Sequence, residues 1–217
     1  MEEGDKRDGR LTLAIETAIA GGSISLLRDG SSIKGTAGGD SVSRAEDLLQ
    51  GVDGLLAEAG IMKYDLASIA VSTGPGSFTG LRVGISTAMG LANALKIKCA
   101  GVPLFDAIAT DYDTKLAVVV PLGRSDICYR FFENGVANGE FGVGDWSDLS
   151  SFIRQHRPVQ LAHHPDLDAS RLRDLELGGA SLIDLGSNLA DYVGKYASTT
   201  ASSGSLEPIY VRNPRFG

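Results

Sequence analysis

Cysteine, tryptophan and histidine are scarce in this chain of 217 residues, and its cations are outnumbered. The two cysteines, Cys99 and Cys128, cannot build a disulfide framework and have no zinc-ligand spacing, so they read as free thiols of a reducing compartment. Three histidines are present, His156, His163 and His164, and none forms an i, i+4 pair. Adjacent His163 and His164 diverge on either a helix or a strand. With Pro165 behind them they are expected in a surface turn, and the nearby Asp166 and Asp168 in a polar loop. No metal-ligand set is predicted, nor a Ser-His-acid or Cys-His pair. Lys plus Arg is 20 against 27 Asp plus Glu, a formal charge of -7, which argues against autonomous, tight nucleic-acid binding. The opening MEEGDKRDGR has no apolar stretch, so no signal peptide is expected and the cytoplasm is the default. Between Leu66 and Leu95 the only charge is Arg82, but Gly74-Pro75-Gly76 interrupts the run below the roughly 20 residues a bilayer needs, so no membrane segment is predicted.

What is present suits a globular core. The chain is 43% hydrophobic and 22% charged, enough for one large domain or two small ones. Leu11, Leu13 and Ile15 alternate with Thr12 and Ala14, Ser23–Leu26 repeats the alternation, and a weak third strand lies near Ser32–Thr36. Val42, Ala45, Leu49, Val52, Leu56 and Ala59 then step by three and four, one apolar helix face closed by Gly60. Leu66–Val71 reads as a strand. Thr79–Lys96 reads as a helix apolar on nearly every side, and so buried all round. Later candidates are strands at Leu116–Val120 and Val159–Ala162 and a hairpin of Ile127–Phe132 and Val136–Phe141 about Asn134-Gly135. Helices are expected at Asp145–His156, with Asp145 as cap, and at Ser187–Tyr196. No short-period repeat is visible. Strands leading into helices in each half predict two small α/β lobes, 11–112 and 113–197, after a disordered extension 1–10 and before a linker and C-terminal segment, 198–217, that packs back on the chain.

The most informative stretch is Ser72-Thr73-Gly74-Pro75-Gly76-Ser77-Phe78-Thr79-Gly80-Leu81-Arg82-Val83-Gly84. It is a strand, a glycine turn and a helix start with Ser77 and Thr79 as cap candidates. Two readings stand. The turn either needs small residues for tight packing, or its N–H groups hold an anion. It is not a P-loop, because no Gly-Lys-Ser/Thr follows.

The run from Gly74 to Leu95 resembles the signature of the TsaB (YeaZ) family. Leu11–Thr17 is similar to that family's opening strand, the helix at Val42–Gly60 occupies the matching place, and Leu206-Glu207-Pro208-Ile209-Tyr210-Val211-Arg212 resembles its C-terminal signature. The resemblance is poor between about Thr114 and Tyr196. It implies an actin-like ATPase (ASKHA) fold of two lobes, each on a mixed β-sheet with flanking helices. It also implies a non-catalytic scaffold role in making threonylcarbamoyladenosine next to the anticodon of tRNA. The partners implied are a TsaD-like catalytic paralogue that the protein binds and stabilises, a TsaE-like ATPase and a second copy in a homodimer. Contact with tRNA is expected only through the complex.

Departures from the pattern matter. Where superfamily members open their first phosphate hairpin with aspartate, this chain has Glu16 followed by Thr17. Arg44-Ala45-Glu46 replaces the family's His-Ser-Glu, and Leu122-Gly123-Arg124 keeps only the arginine of Asp-Ala-Arg. Losing that carboxylate removes an anchor for magnesium and its waters. No cofactor of its own is therefore expected, with ATP and metal supplied by partner subunits; weak nucleotide binding stays open. The catalytic paralogue's His-x-x-x-His pair is missing, so no catalytic or metal residue is assigned.

Gly80, Gly84, Ala88 and Ala92 fall at four-residue spacing, a ridge that lets another helix approach closely. Leu49, Val52 and Leu56 of the first helix would extend the patch, leaving Val83, Met89 and Leu91 to cover the sheet. The alternative is that both helices pack on their own sheet. The resemblance selects the first, since family members associate through these two helices. Rival functions are a glycoprotease-like peptidase, which needs a nucleophile or metal, and an actin-like small-molecule kinase, which needs ATP turnover.

Overall fold

The computed structural model describes residues 9–37, 45–123, 125–175, 177–200 and 204–211. The expectations that rest on residues 1–8, Val42, Arg44, Arg124 and Arg212 lie outside them, as do 201–203 and 213–217 of the C-terminal segment.

Strand period two builds the first lobe. β1 (Leu11–Glu16), β2 (Ser23–Arg28) and β3 (Ser31–Ala37) form an antiparallel meander, and β4 (Ser68–Gly74) and β5 (Lys98–Pro103) add parallel strands in the order β3-β2-β1-β4-β5. Leu11, Leu13, Ile15, Ile24, Leu26, Ile69 and Val71 point to one face, where they meet Leu48, Val52, Leu55 and Leu56 of α1 (Ala45–Ala59) and Ile85, Ala88 and Ala92 of α2 (Phe78–Leu95). The other face carries small residues, Ala14, Ser23, Ser25 and Ala70, all buried. α3 (Leu104–Ala109) follows β5.

The second lobe repeats this plan. β6 (Lys115–Leu122) and β7 (Asp126–Glu133) are antiparallel; β8 (Val136–Ala137) and β9 (Gly142–Gly144) pair with successive stretches of β7; β10 (Gln160–His163) and β11 (Ser181–Asp184) run parallel to β6. The order β8-β7-β6-β10-β11 is that of the first sheet. α4 (Trp146–His156), α5 (Ala169–Asp174) and α6 (Ala190–Thr199) fall where α1, α2 and α3 fall in the first half. Leu149, Ile153 and Leu172 cover one face of the second sheet through Ala117, Val119, Ile127 and Leu161.

A third core lies between the sheets. It joins Ala14, Leu27 and Ala70 of the first lobe to Leu116, Val118, Val120, Phe132 and Ala162 of the second, with α3 and α6 in the middle. α6 ends the second repeat yet lies on the first sheet, against β1, β2 and β4. The Ala190 N–H donates to buried Ser23 Oγ at 2.9 Å, Asn188 and Ser25 share hydrogen bonds, and Gly194 sits against Leu27, where a Cβ would collide. Small side chains on that sheet face are what admit the helix.

Two expectations are corrected here. α2 is not buried all round: Arg82, Ser86, Met89, Gly90 and Asn93 are exposed. His163 and His164 are not in a surface turn, being only 7% and 2% exposed at the end of β10. Their ring nitrogens serve the chain, with His163 Nδ1 3.2 Å from the His164 carbonyl oxygen and His164 Nδ1 accepting the Asp166 N–H at 3.2 Å. Burial lowers the His164 pKa, against the raising influence of Asp166 and Asp184.

Candidate functional site

Four parallel-paired strands, β1, β4, β6 and β10, end at one opening between the lobes. Ligands of open α/β sheets gather at such carboxyl ends. The opening is a cleft of about 670 Å³.

Glu16 holds the first-lobe wall from below. Its carboxylate, 1% exposed, accepts the N–H groups of Ala18 at 2.7 Å and Ile19 at 3.2 Å. Burial raises its pKa to about 7, opposed by those two N–H groups. The turn it fixes is completed by Ala20, Gly21 and Gly22, all at positive φ.

The glycine turn packs onto that turn. Thr17 Oγ1 donates to the Gly80 carbonyl at 2.8 Å, and the Ser77 N–H donates to the Ala18 carbonyl at 2.9 Å. A Cβ at Gly76, Gly80 or Gly84 would collide with Ala18 or Thr17. Ser77 caps α2 by accepting the Gly80 N–H at 3.3 Å. Of the two readings of the motif, tight packing is the one its geometry carries.

The same contacts overturn the interface ridge. Gly80, Gly84, Ala88 and Ala92 are buried against the chain's own first lobe, and Val52 and Leu56 are each 4% exposed beneath α1. Of the proposed interface only Leu49, 43% exposed, reaches solvent; Met89, assigned to the sheet side, is 49% exposed. Four-residue spacing shows which residues share a face, but not where that face points.

The second-lobe wall is of another character. Gly123 and Ser125 come from the β6–β7 turn, Asp126 opens β7, Asp166 and Asp168 follow β10, and half-buried Trp146 opens α4 beside Arg171 of α5. The Arg171 guanidinium lies 5.7 Å from the Trp146 ring centre. Asp168 caps α5 by accepting the Ser170 N–H at 2.9 Å, and hydrogen bonds from Ser170 and Arg171 lower its pKa. The sequence reading passed over Trp146 and Arg171, although a lone tryptophan directly after a helix cap was a visible signal. Among the described residues, no three His, Cys, Asp or Glu side chains are grouped to hold a metal.

The C-terminal segment clasps the first lobe. The Ile209 N–H donates to the Thr73 carbonyl at 2.7 Å, Gly101 N–H to the Gly204 carbonyl at 3.2 Å, and Tyr210 stacks on Phe78 at 4.9 Å. Arg82 lies over the Phe78 ring at 3.9 Å. The glycine motif and the tail, far apart in sequence, therefore form one structure at the start of α2.

The family described as TsaD, tRNA N6-adenosine threonylcarbamoyltransferase, matches residues 41–136. An uncharacterised protein of Mycobacterium leprae (strain TN) is 34% identical over 110 residues, 51% of this chain and 31% of its own length. This chain thus spans about a third of that relative, and 46% of similar uncharacterised proteins of Mycobacterium bovis and Mycobacterium tuberculosis. The tRNA threonylcarbamoyladenosine biosynthesis protein TsaB of Bacillus subtilis (strain 168) is 26% identical, with 75% of each chain covered. Among solved structures, YeaZ from Pseudomonas aeruginosa superposes with a TM-score of 0.61 at 20% identity, covering 93% of this chain and 100% of that one. An activator of 2-hydroxyisocaproyl-CoA dehydratase from Clostridium difficile, with bound ADPNP, has a TM-score of 0.54 at 11% identity, covering 87% and 94%. The fold is the actin-like one, two lobes each on a mixed sheet with flanking helices.

Proposed function

We propose that the chain is a member of the TsaB (YeaZ) family and acts in tRNA threonylcarbamoyladenosine biosynthesis as a non-catalytic scaffold that binds and stabilises a TsaD-like catalytic subunit. A TsaE-like ATPase joins the assembly, tRNA is met only through the complex, and ATP and metal belong to the partners. The work is done in the cytoplasm.

The observation that carries the reading is the outward face of α1 and α2. Leu49 and Met89 are 43% and 49% exposed on these two adjoining helices. Gly54 and Gly90 face open space, so a partner backbone can come close. Solvent-facing apolar side chains beside small residues suit a partner helix. A second copy would use the same face, so homodimer and heterodimer compete for it.

The test is a binding titration between this protein and its TsaD-like paralogue. Leu49→Glu and Met89→Arg are expected to weaken association by about 30-fold or more, the scale of losing a central interface residue of about 2 kcal/mol. Circular dichroism should stay unchanged. Undiminished binding by both variants would remove this face from the interface. The pure chain should also make no threonylcarbamoyladenosine from tRNA and threonylcarbamoyl-adenylate; product formed without the paralogue would sink the scaffold reading.

A further inference from the structure

Arg82 is the only charged residue between Leu66 and Leu95, and the C-terminal segment helps to hold it in place. It shares the exposed stripe of α2 with Ser86, Met89 and Asn93, which follow at helical steps of four, three and four. Arg82 therefore continues the outward face that carries Met89. Its guanidinium lies 3.9 Å from the centre of the Phe78 ring. Tyr210 packs on the same ring, with the two ring centres 4.9 Å apart and the planes inclined by 37°. The Arg82 Nε–H donates to the Tyr210 hydroxyl oxygen at 3.4 Å.

The neighbours of Tyr210 are seated. Leu206 packs on the outer core of the first lobe, the Ile209 N–H donates to the Thr73 carbonyl, and Val211 packs on the core between the lobes. Tyr210 itself stays 41% exposed. A tyrosine held in place yet left in solvent is a ready contact surface, and Tyr and Arg are the residues that most often dominate interfaces.

The stack also has a chemistry. A guanidinium presents five N–H donors in a rigid fork. Here Nε is turned to Tyr210, and among the described residues no carboxylate pairs with the two terminal amino groups. That end of the fork suits a carboxylate, bound in bidentate fashion. Resting on an aromatic ring fixes the side chain beforehand, so less rotamer freedom is lost when a partner arrives.

Resting on the scaffold reading, we infer that the Arg82–Phe78–Tyr210 stack is the polar anchor of the partner face. Arg82 takes a carboxylate of the TsaD-like subunit, and Tyr210 makes that contact depend on the seated C-terminal segment.

The full chain is titrated with its TsaD-like paralogue. Arg82→Gln should weaken association about tenfold or more, the scale of a lost charge pair at an interface. Raising the salt concentration should weaken the parent more than this variant. Tyr210→Ala should weaken binding severalfold. The double variant should bind within about twofold of Arg82→Gln alone, because Tyr210 acts through the arginine. All three should keep the circular dichroism of the parent. The proposal is overturned if folded Arg82→Gln or Tyr210→Ala binds undiminished, or if Arg82→Gln keeps the salt dependence of the parent. It is equally overturned if Arg82→Gln weakens only self-association of the chain in sedimentation, since the stack would then belong to a homodimer. In each of these cases Leu49→Glu would still weaken binding to the paralogue, and the scaffold reading would stand. A parent chain with no affinity for the paralogue overturns both.

Discussion

Glu16 is the residue at which pH and stability are most directly coupled. In the unfolded chain its carboxyl ionises near the ordinary 4.5; in the fold, burial holds it protonated to about 7. Between these values the folded chain keeps a proton the unfolded chain has released, so this group's contribution to stability is full below pH 4.5 and is lost as pH rises to about 7. The loss is on the order of 3 kcal/mol. His164 works in the other sense. Its pKa is depressed from 6.5, so it contributes stability above that value and loses it as pH falls. Glu16→Gln removes the first contribution and leaves the second. Denaturant unfolding at a series of pH values should show parent stability falling relative to Glu16→Gln between about pH 4.5 and 7. Parallel curves across that window would mean that Glu16 keeps an ordinary pKa in the fold.

At the scale of elements, α2 carries two small-residue faces. The inner one is Gly80, Gly84, Ala88 and Ala92; the outer one includes exposed Ser86, Gly90 and Ala94, also at four-residue spacing. Ala88→Glu puts an unpaired charge into the core that α2 shares with the first sheet, and Gly84→Arg drives a side chain into Thr17. Each should destabilise the fold by roughly 3–5 kcal/mol, the scale of an uncompensated buried charge, with the loss read from denaturant midpoints. Parent-like midpoints in both would return the inner ridge to the surface. The pattern of the sequence made the β1–β2 meander, α2 and the cap at Asp145 legible, because alternation, helical period and capping chemistry are local. β5, β11, α3 and α5 were not legible. The two helices have six residues each, too few to display a period, and the two strands lean on neighbours far along the chain. The candidate site divides in the same way. Its glycine turn stood out in one stretch of sequence, whereas Trp146, Asp166 and Arg171 meet the first-lobe wall only when both sheets have formed.

The whole molecule is two copies of one βββαβαβα plan, the second with β9 added, that do not stand alone, because the helix ending the second copy completes the first. Leu189, Ala190 and Val193 are 1% exposed or less, and they join the core that includes Ala14, Leu27 and Ala70 of the first sheet. Buried Ser23 has its hydroxyl on the Ala190 N–H, and Ser25 its hydroxyl on Asn188. Removing everything after Tyr112 would leave α3, against β4 and β5, as the only helix on the inner face of the first sheet and would leave these hydroxyls without their protein partners. The outer core with α1 and α2 would remain, yet one covered face is a poor defence for a sheet whose central strand, β1, is buried along its length. A fragment of residues 1–112 should therefore give no cooperative thermal transition, and its amide protons should exchange orders of magnitude faster than in the intact chain. The full chain, by contrast, should unfold in a single step seen alike by Trp146 fluorescence in the second lobe and by far-ultraviolet circular dichroism across both. Two separated transitions, or a fragment that melts cooperatively, would show that the lobes are independent domains and that the seat of α6 on the first sheet contributes little to holding it together.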